Sequence, residues 1–256
     1  MQFDLIPKTI HYCWFGRGKK PASAERCIAS WRRYLPDYEI KEWNEDNFDI
    51  HCTPYVEEAY RVKKYAFVSD YARFWILYHY GGIYFDTDVE IIKPMEGIVT
   101  DGCFMGVEDN GLDHSQTQRS LHEGEYYVNP GLGIGAEPGM EVCREMLDSY
   151  EHSHFILADN KLNMDNVVAR MTRILFAHGL QITDQIQSVG GFIIYPKDYM
   201  CPVCTKDGHL CVTNNTFSIH HYAASWTSPT HRFLRKLLLT FGGVKLKLWL
   251  GKKLKK

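Results

Sequence analysis

At 256 residues, 45% of them hydrophobic and 23% charged, with a net charge of -2, the chain can bury a sizeable core as one large domain. That balance excludes a disordered chain and a polycation that coats nucleic acid, so no nucleic-acid partner is expected. No stretch reaches the roughly 18 to 20 apolar residues of a membrane-spanning helix, and residues 1–16 lack the order of a secretory signal, which predicts a cytoplasmic protein.

In chain order, Lys8 to Trp14 reads as a first strand because it is apolar and β-prone, and Gly16 and Gly18 make the loop after it. A helix is predicted from Pro21, a residue suited to a first turn, to about Tyr34. Pro36 and Asp37 turn the chain into a short strand, Glu39 to Trp43. Phe67 to Tyr80 reads as a long helix, apolar on most of its circumference, and Gly81-Gly82 ends it. Ile83-Tyr84-Phe85 follows as a core strand, Val89 to Ile92 continues past an Asp86-Thr87-Asp88 segment, and Cys103 to Val107 gives another strand after a turn at Pro94. The polar stretch from Glu108 to Glu125 reads as a mobile loop. Beyond it, Asn129 to Ala136 reads as a glycine-spaced strand, Met140 to Tyr150 and Met164 to Ala177 as helices, and Phe192 to Tyr195 and Phe217 to His221 as late strands. Strands alternating with helices, with no repeat or linker, predict one α/β catalytic domain over residues 1–228.

Residues 229–256 are different. They hold Arg232, Arg235, Lys236, Lys245, Lys247, Lys252, Lys253, Lys255 and Lys256 interleaved with leucines and aromatics, and no acidic residue. This is the composition of an amphipathic segment lying on an anionic leaflet, so a peripheral position on the inner membrane face is expected. A solvated tail or a protein-contact helix has the same composition.

Residues 67–91, FVSDYARFWILYHYGGIYFDTDVEI, carry the chemistry. Asp86 and Asp88 leave a core strand at its carboxyl end, where ligands of open α/β sheets collect, and hard divalent ions take carboxylate oxygens. Asp70 and Arg73, three apart on a helix, share a face and suit the acceptors and donors of a sugar. Taken singly, Asp-x-Asp arises by chance and Asp70 with Arg73 would also serve as a surface ion pair; the conjunction is the signal.

These residues resemble the glycosyltransferases with a DXD sugar-binding region, glycosyltransferase family 32, which include yeast-type α-mannosyltransferases and bacterial capsule and O-antigen enzymes. The match lies in SDYAR and LYHYGGIYFDTDVE, and extends to IPKTIHYCWFG, SWRRYLPDYEIKEWNEDN and FSIHHYAASW. The first and central blocks also resemble the catalytic domain of the large glucosylating toxins, which implies a GT-A fold, a Rossmann-like mixed sheet flanked by helices. By the resemblance, Trp14 stacks on the nucleotide base, Asp70 and Arg73 bind the donor sugar, Asp86 contacts ribose, sugar or metal, and Asp88 ligates the metal. Asn129 matches a polar position near the sugar or acceptor, with a turn-forming Asn-Pro as the alternative. Ser225 and Trp226 match a closing segment near the diphosphate, where an indole N–H would donate to a departing oxygen. Strand alternation puts one of His220 and His221 into the site, and His221 is the expected metal ligand beside Asp86 and Asp88.

Eight cysteines without a secretory signal predict reduced thiols. Cys201 and Cys204, with His209 and Cys211 behind them, approach a zinc pattern, but the gap from His209 to Cys211 is not a standard knuckle spacing and an ordinary turn is expected. Asp113, His114, His122, Glu123 and Glu125 read as a solvated acceptor-side loop rather than a second metal cluster.

The whole reading is a metal-dependent hexosyltransferase using Mn²⁺ or Mg²⁺, and the resemblance alone implies that it retains the anomeric configuration. Its donor is a nucleotide diphosphate sugar, UDP-sugar first and GDP-mannose as the alternative. Its acceptor is a saccharide, lipid-linked by the evidence of the basic tail, in capsule, O-antigen or exopolysaccharide synthesis. A toxin-like enzyme that glycosylates protein and a metal-dependent phosphoesterase are the rivals.

Overall fold

The computed structural model of the protein describes residues 6–110, 126–203 and 209–223. The first unit runs β1 (Thr9–Cys13), α1 (Ala22–Tyr34) and β2 (Glu39–Trp43), with β2 parallel to β1 in register Thr9↔Glu39 to Cys13↔Trp43. Helix α1 buries Ala24, Cys27, Ile28 and Trp31, an i, i+3, i+4, i+7 stripe, and leaves its arginines outside. Next come α2 (Pro54–Arg61) and α3 (Tyr65–Tyr80). Helix α2 was not foreseen, although Thr53 accepting from Val56 N and Pro54 in the first turn form a legible helix start.

The double glycine after α3 is a close approach as well as a stop. Gly82 has φ +96°, and a Cβ there would sit 2.6 Å from the Thr9 carbonyl oxygen. The chain then enters β3 (Gly82–Tyr84), parallel to β1 with Ile10↔Ile83. His11 seals this junction, its Nε2 3.0 Å from Gly81 O and its Nδ1 accepting from Trp43 Nε1 at 3.0 Å. Burial lowers its pKa to about 4, so it is a neutral imidazole with its proton on Nε2.

Strand β4 (Val89–Ile91), helix α4 (Glu96–Asp101) and strand β5 (Phe104–Asn110) follow. The predicted strand from Asn129 to Ala136 is divided into β6 (Tyr126–Asn129), a 3₁₀ turn at Pro130–Leu132 and β7 (Ile134–Ala136). The glycines that suggested one strand serve different purposes. Gly133 has φ +140°, and a Cβ there would lie 2.7 Å from the Phe85 ring; Gly135 makes room for Phe104. Helices α5 (Glu141–Glu151) and α6 (Val167–Ala177), strands β8 (Gln187–Val189) and β9 (Phe192–Tyr195), helix α7 (Lys197–Met200) and strand β10 (Ser218–His220) complete the described chain.

The strands form a mixed sheet in the order β2-β1-β3-β7-β5-β9-β8, with β6 also paired to β5, and helices pack around it, as the α/β reading predicted. A separate pair joins β10 to β4, antiparallel, with His220 opposite Val89. No helix among the described residues is long and apolar enough to cross a membrane.

Candidate active site

The parallel strands β1 and β3 end side by side, and both ends carry predicted site residues: Trp14 after β1 and Asp86 after β3. The chain between β3 and β4 is a tight turn in which Val89 N donates to Asp86 O at 3.0 Å. This turn, rather than strand alternation, brings the Asp86 and Asp88 side chains to one place.

Behind it, Asp70 and Arg73 project from α3. Arg73 Nη2 donates to Asp70 Oδ1 at 2.8 Å and lies 3.2 Å from Asp86 Oδ1, while Nε donates to Ser69 O and the guanidinium covers the Tyr84 ring at 4.8 Å. Burial opposes the Arg73 charge, but Asp86, Tyr84 and Asp70 outweigh it and its pKa is raised. Burial raises Asp70 to about 6, against the pull of Arg73. The pair is therefore no surface ion pair: both side chains are nearly inaccessible, and Arg73 Nη1 is buried with no partner among the described residues.

Asp86 is seated on the 3₁₀ turn. Its N–H donates to Gly131 O at 3.3 Å, and a Cβ at Gly131 would overlap its carboxylate. Asn129 accepts from Gly131 N through Oδ1 at 2.6 Å, so it caps this turn, in keeping with the Asn-Pro turn alternative. Tyr84 donates to Asp86 Oδ1 at 3.3 Å.

The late histidines correct one expectation. His220 faces the carboxylates, its Nε2 3.1 Å from Asp88 Oδ1 and 3.9 Å from Asp86 Oδ2. His221, the residue favoured from sequence, is exposed and its Nε2 meets Glu90 Oε2 at 2.7 Å instead. Alternation holds, but its phase is set by the β10–β4 register, which puts His220 opposite buried Val89. Burial raises the pKa of Asp88, yet His220 and the Ala223 N–H, which donates to Asp88 Oδ2 at 2.8 Å, outweigh it and hold Asp88 at about 2. Burial likewise opposes a charge on His220, and Asp88 raises its pKa.

Asp86, Asp88 and His220 offer ligand atoms that all lie within 4.8 Å of one another. Two carboxylates and an imidazole are a donor set for Mn²⁺ or Mg²⁺, and the His220 Nδ1 atom, buried without a partner among the described residues, shows an imidazole whose hydrogen bonding is incomplete. The residues present fit such an ion.

Trp14 stands half-buried over a cavity of about 400 Å³ that Lys20, Glu42, Asn44 and Glu45 also line, and its indole N–H donates to Gly18 O at 2.5 Å. Ser225, Trp226, the tail from residue 229, Cys204 and the loop residues Asp113, His114, His122, Glu123 and Glu125 lie outside the described residues. Cys201 is a buried thiol, pushed up to about 11 by burial, with its Sγ 2.9 Å from Tyr222 Oη.

Residues 21–105, which hold Asp70, Arg73, Asp86 and Asp88, match the family described as a glycosyltransferase sugar-binding region containing a DXD motif. Over this region the chain is similar to glycosyltransferases. It is similar to inositol phosphoceramide mannosyltransferase 1 of Schizosaccharomyces pombe, 28% identical over 115 residues that make up 41% of this chain and 34% of that protein. It is also similar to inositol phosphoceramide mannosyltransferase 3 of the same yeast, 30% identical over 38% of this chain and 28% of that one. The matched stretch thus spans about a third of each relative's length. Among solved structures, the PaToxG glycosyltransferase aligns with 67% of this chain and 69% of its own at 17% identity and a TM-score of 0.46. A glycosyltransferase involved in glycosylation of the PBCV-1 major capsid aligns with 90% of this chain and 98% of its own at 11% identity, also with a TM-score of 0.46.

Proposed function

We propose that the protein is a glycosyltransferase, a metal-dependent enzyme that transfers a hexose, with retention, from a nucleotide diphosphate sugar to a saccharide hydroxyl. The observation that carries the proposal is the convergence of Asp86, Asp88 and His220 beside the buried Asp70–Arg73 pair. A bound Mn²⁺ or Mg²⁺ would supply positive charge to the diphosphate. The chain's own residues do the rest by placement. Arg73, held between Asp70 and Asp86, and Asp70 itself present a donor and an acceptor to the sugar hydroxyls. Trp14 offers a face for the base at the cavity it lines. Trp226 and Ser225 would donate to the departing diphosphate.

A UDP-sugar is the first donor to test, and GDP-mannose is the second because the curated relatives are mannosyltransferases. The ceramide acceptor in their names and the basic composition of residues 229–256 both support a lipid-linked acceptor at a membrane surface. Capsule, O-antigen or exopolysaccharide assembly is the setting proposed. Melting the protein with a panel of UDP- and GDP-sugars in Mn²⁺ tests the donor. A shift with one donor that shrinks in EDTA and in Asp88→Asn supports the proposal. Donor hydrolysis with no sugar transferred to any saccharide or lipid-linked acceptor would favour a phosphoesterase.

A further inference from the structure

Tyr222 is a non-glycine residue in the left-handed backbone region, φ +49°, immediately after the two histidines. Such a conformation is disfavoured for a residue with a side chain and persists only where the surroundings over-determine it. The surroundings here are visible. The Tyr222 hydroxyl lies 2.9 Å from Sγ of buried Cys201, and the negative charge of Glu108 on β5 bears on it. Its ring stands edge-on to the His220 imidazole, with centroids 4.3 Å apart and planes at 88°. Its backbone turn delivers the next residue, so that Ala223 N donates to Asp88 Oδ2 while His221 N donates to Asp88 O at 2.9 Å.

We propose that Tyr222 is a positioning residue for the Asp88–His220 face. Its hydroxyl anchors it to Cys201, its ring fixes the plane of His220, and its left-handed turn aims the Ala223 N–H at Asp88. The inference rests on the reading of Asp86, Asp88 and His220 as a divalent-metal site. Groups that orient metal ligands typically change metal affinity by 10–100-fold when removed.

The test is Mn²⁺ binding followed by electron paramagnetic resonance of the free ion, on the full chain, for wild type, Tyr222→Phe and Tyr222→Leu. Nucleotide binding in EDTA serves as the control for an intact base cavity. Tyr222→Leu is expected to bind Mn²⁺ about tenfold more weakly and Tyr222→Phe about threefold more weakly, with nucleotide affinity in EDTA unchanged. Mn²⁺ affinity within twofold of wild type in a Tyr222→Leu protein that still binds nucleotide overturns the proposal; if the leucine variant does not fold, the same result in Tyr222→Phe overturns it. A wild-type protein that binds no Mn²⁺, with or without nucleotide, overturns the metal-site reading and this inference together.

Discussion

Asp88 and His220 meet at 3.1 Å across the β4–β10 pairing, and Asp86 lies within reach of the same imidazole at 3.9 Å. The two carboxylates of the DXD turn thus acquire a nitrogen partner from a strand far away in sequence. Replacing Asp88 by Asn keeps the shape and removes the charge. Asp88→Asn is expected to abolish transfer while the protein keeps its far-ultraviolet circular dichroism and a cooperative melt; turnover above about a tenth of wild type contradicts the assignment.

Gly131 predicts a more selective lesion. A Cβ there overlaps the Asp86 carboxylate, and Asp86 has no room on the Arg73 side, so Gly131→Ala displaces Asp86 from its seat. The expected result is a stability loss of about 1–3 kcal/mol in urea unfolding together with a fall in kcat of at least about tenfold. An alanine variant with wild-type kcat would show that Asp86 need not sit there.

Gly82→Ala tests the junction rather than the chemistry. It forces a side chain into a φ of +96° and against the Thr9 carbonyl and His11, so it is expected to cost 3 kcal/mol or more, roughly, and to lower soluble yield. Urea unfolding at wild-type stability would refute the close approach of α3's end to β1.

The pH dependence follows from Asp70. Burial raises its carboxyl from 3.8 to about 6, so the folded protein keeps a proton that the unfolded chain releases. Its contribution to stability is fullest below the unfolded value and is lost as pH rises through about 6. Asn carries no such proton, and Asp70→Asn is therefore expected to gain stability relative to wild type between pH 4 and 6, roughly. Activity in the wild type is expected to run the other way, falling as pH drops through about 6, because the carboxylate proposed to bind the sugar is neutralised. A stability difference that is flat over this window contradicts the buried ionisation.

Much of the candidate site is legible in the sequence because its parts are contiguous. Helix, double glycine, strand and DXD turn lie within residues 67–91, and each has a local signature. The burial of Arg73 was not legible: an i, i+3 pair reads the same on a surface, and only the packing of Tyr84 beneath the guanidinium and Asp86 beside it decides the matter. The choice between His220 and His221 depended on the register of β10 against β4, which no local pattern carries. Asn129 to Ala136 misled because glycine every second residue suggests a strand, whereas Pro130 and Gly131 bend it into the seat of Asp86. Tyr222 gave no signal at all, since its meaning lies in a backbone angle and in contacts with Cys201 and His220.

The most direct test of the site is equilibrium Mn²⁺ titration, in the presence of a nucleoside diphosphate, of wild type, His220→Ala and His221→Ala. Wild type and His221→Ala are expected to bind one ion with similar affinity, and His220→Ala to lose about tenfold or more. Undiminished binding in His220→Ala, or loss in His221→Ala alone, would contradict the assignment of His220.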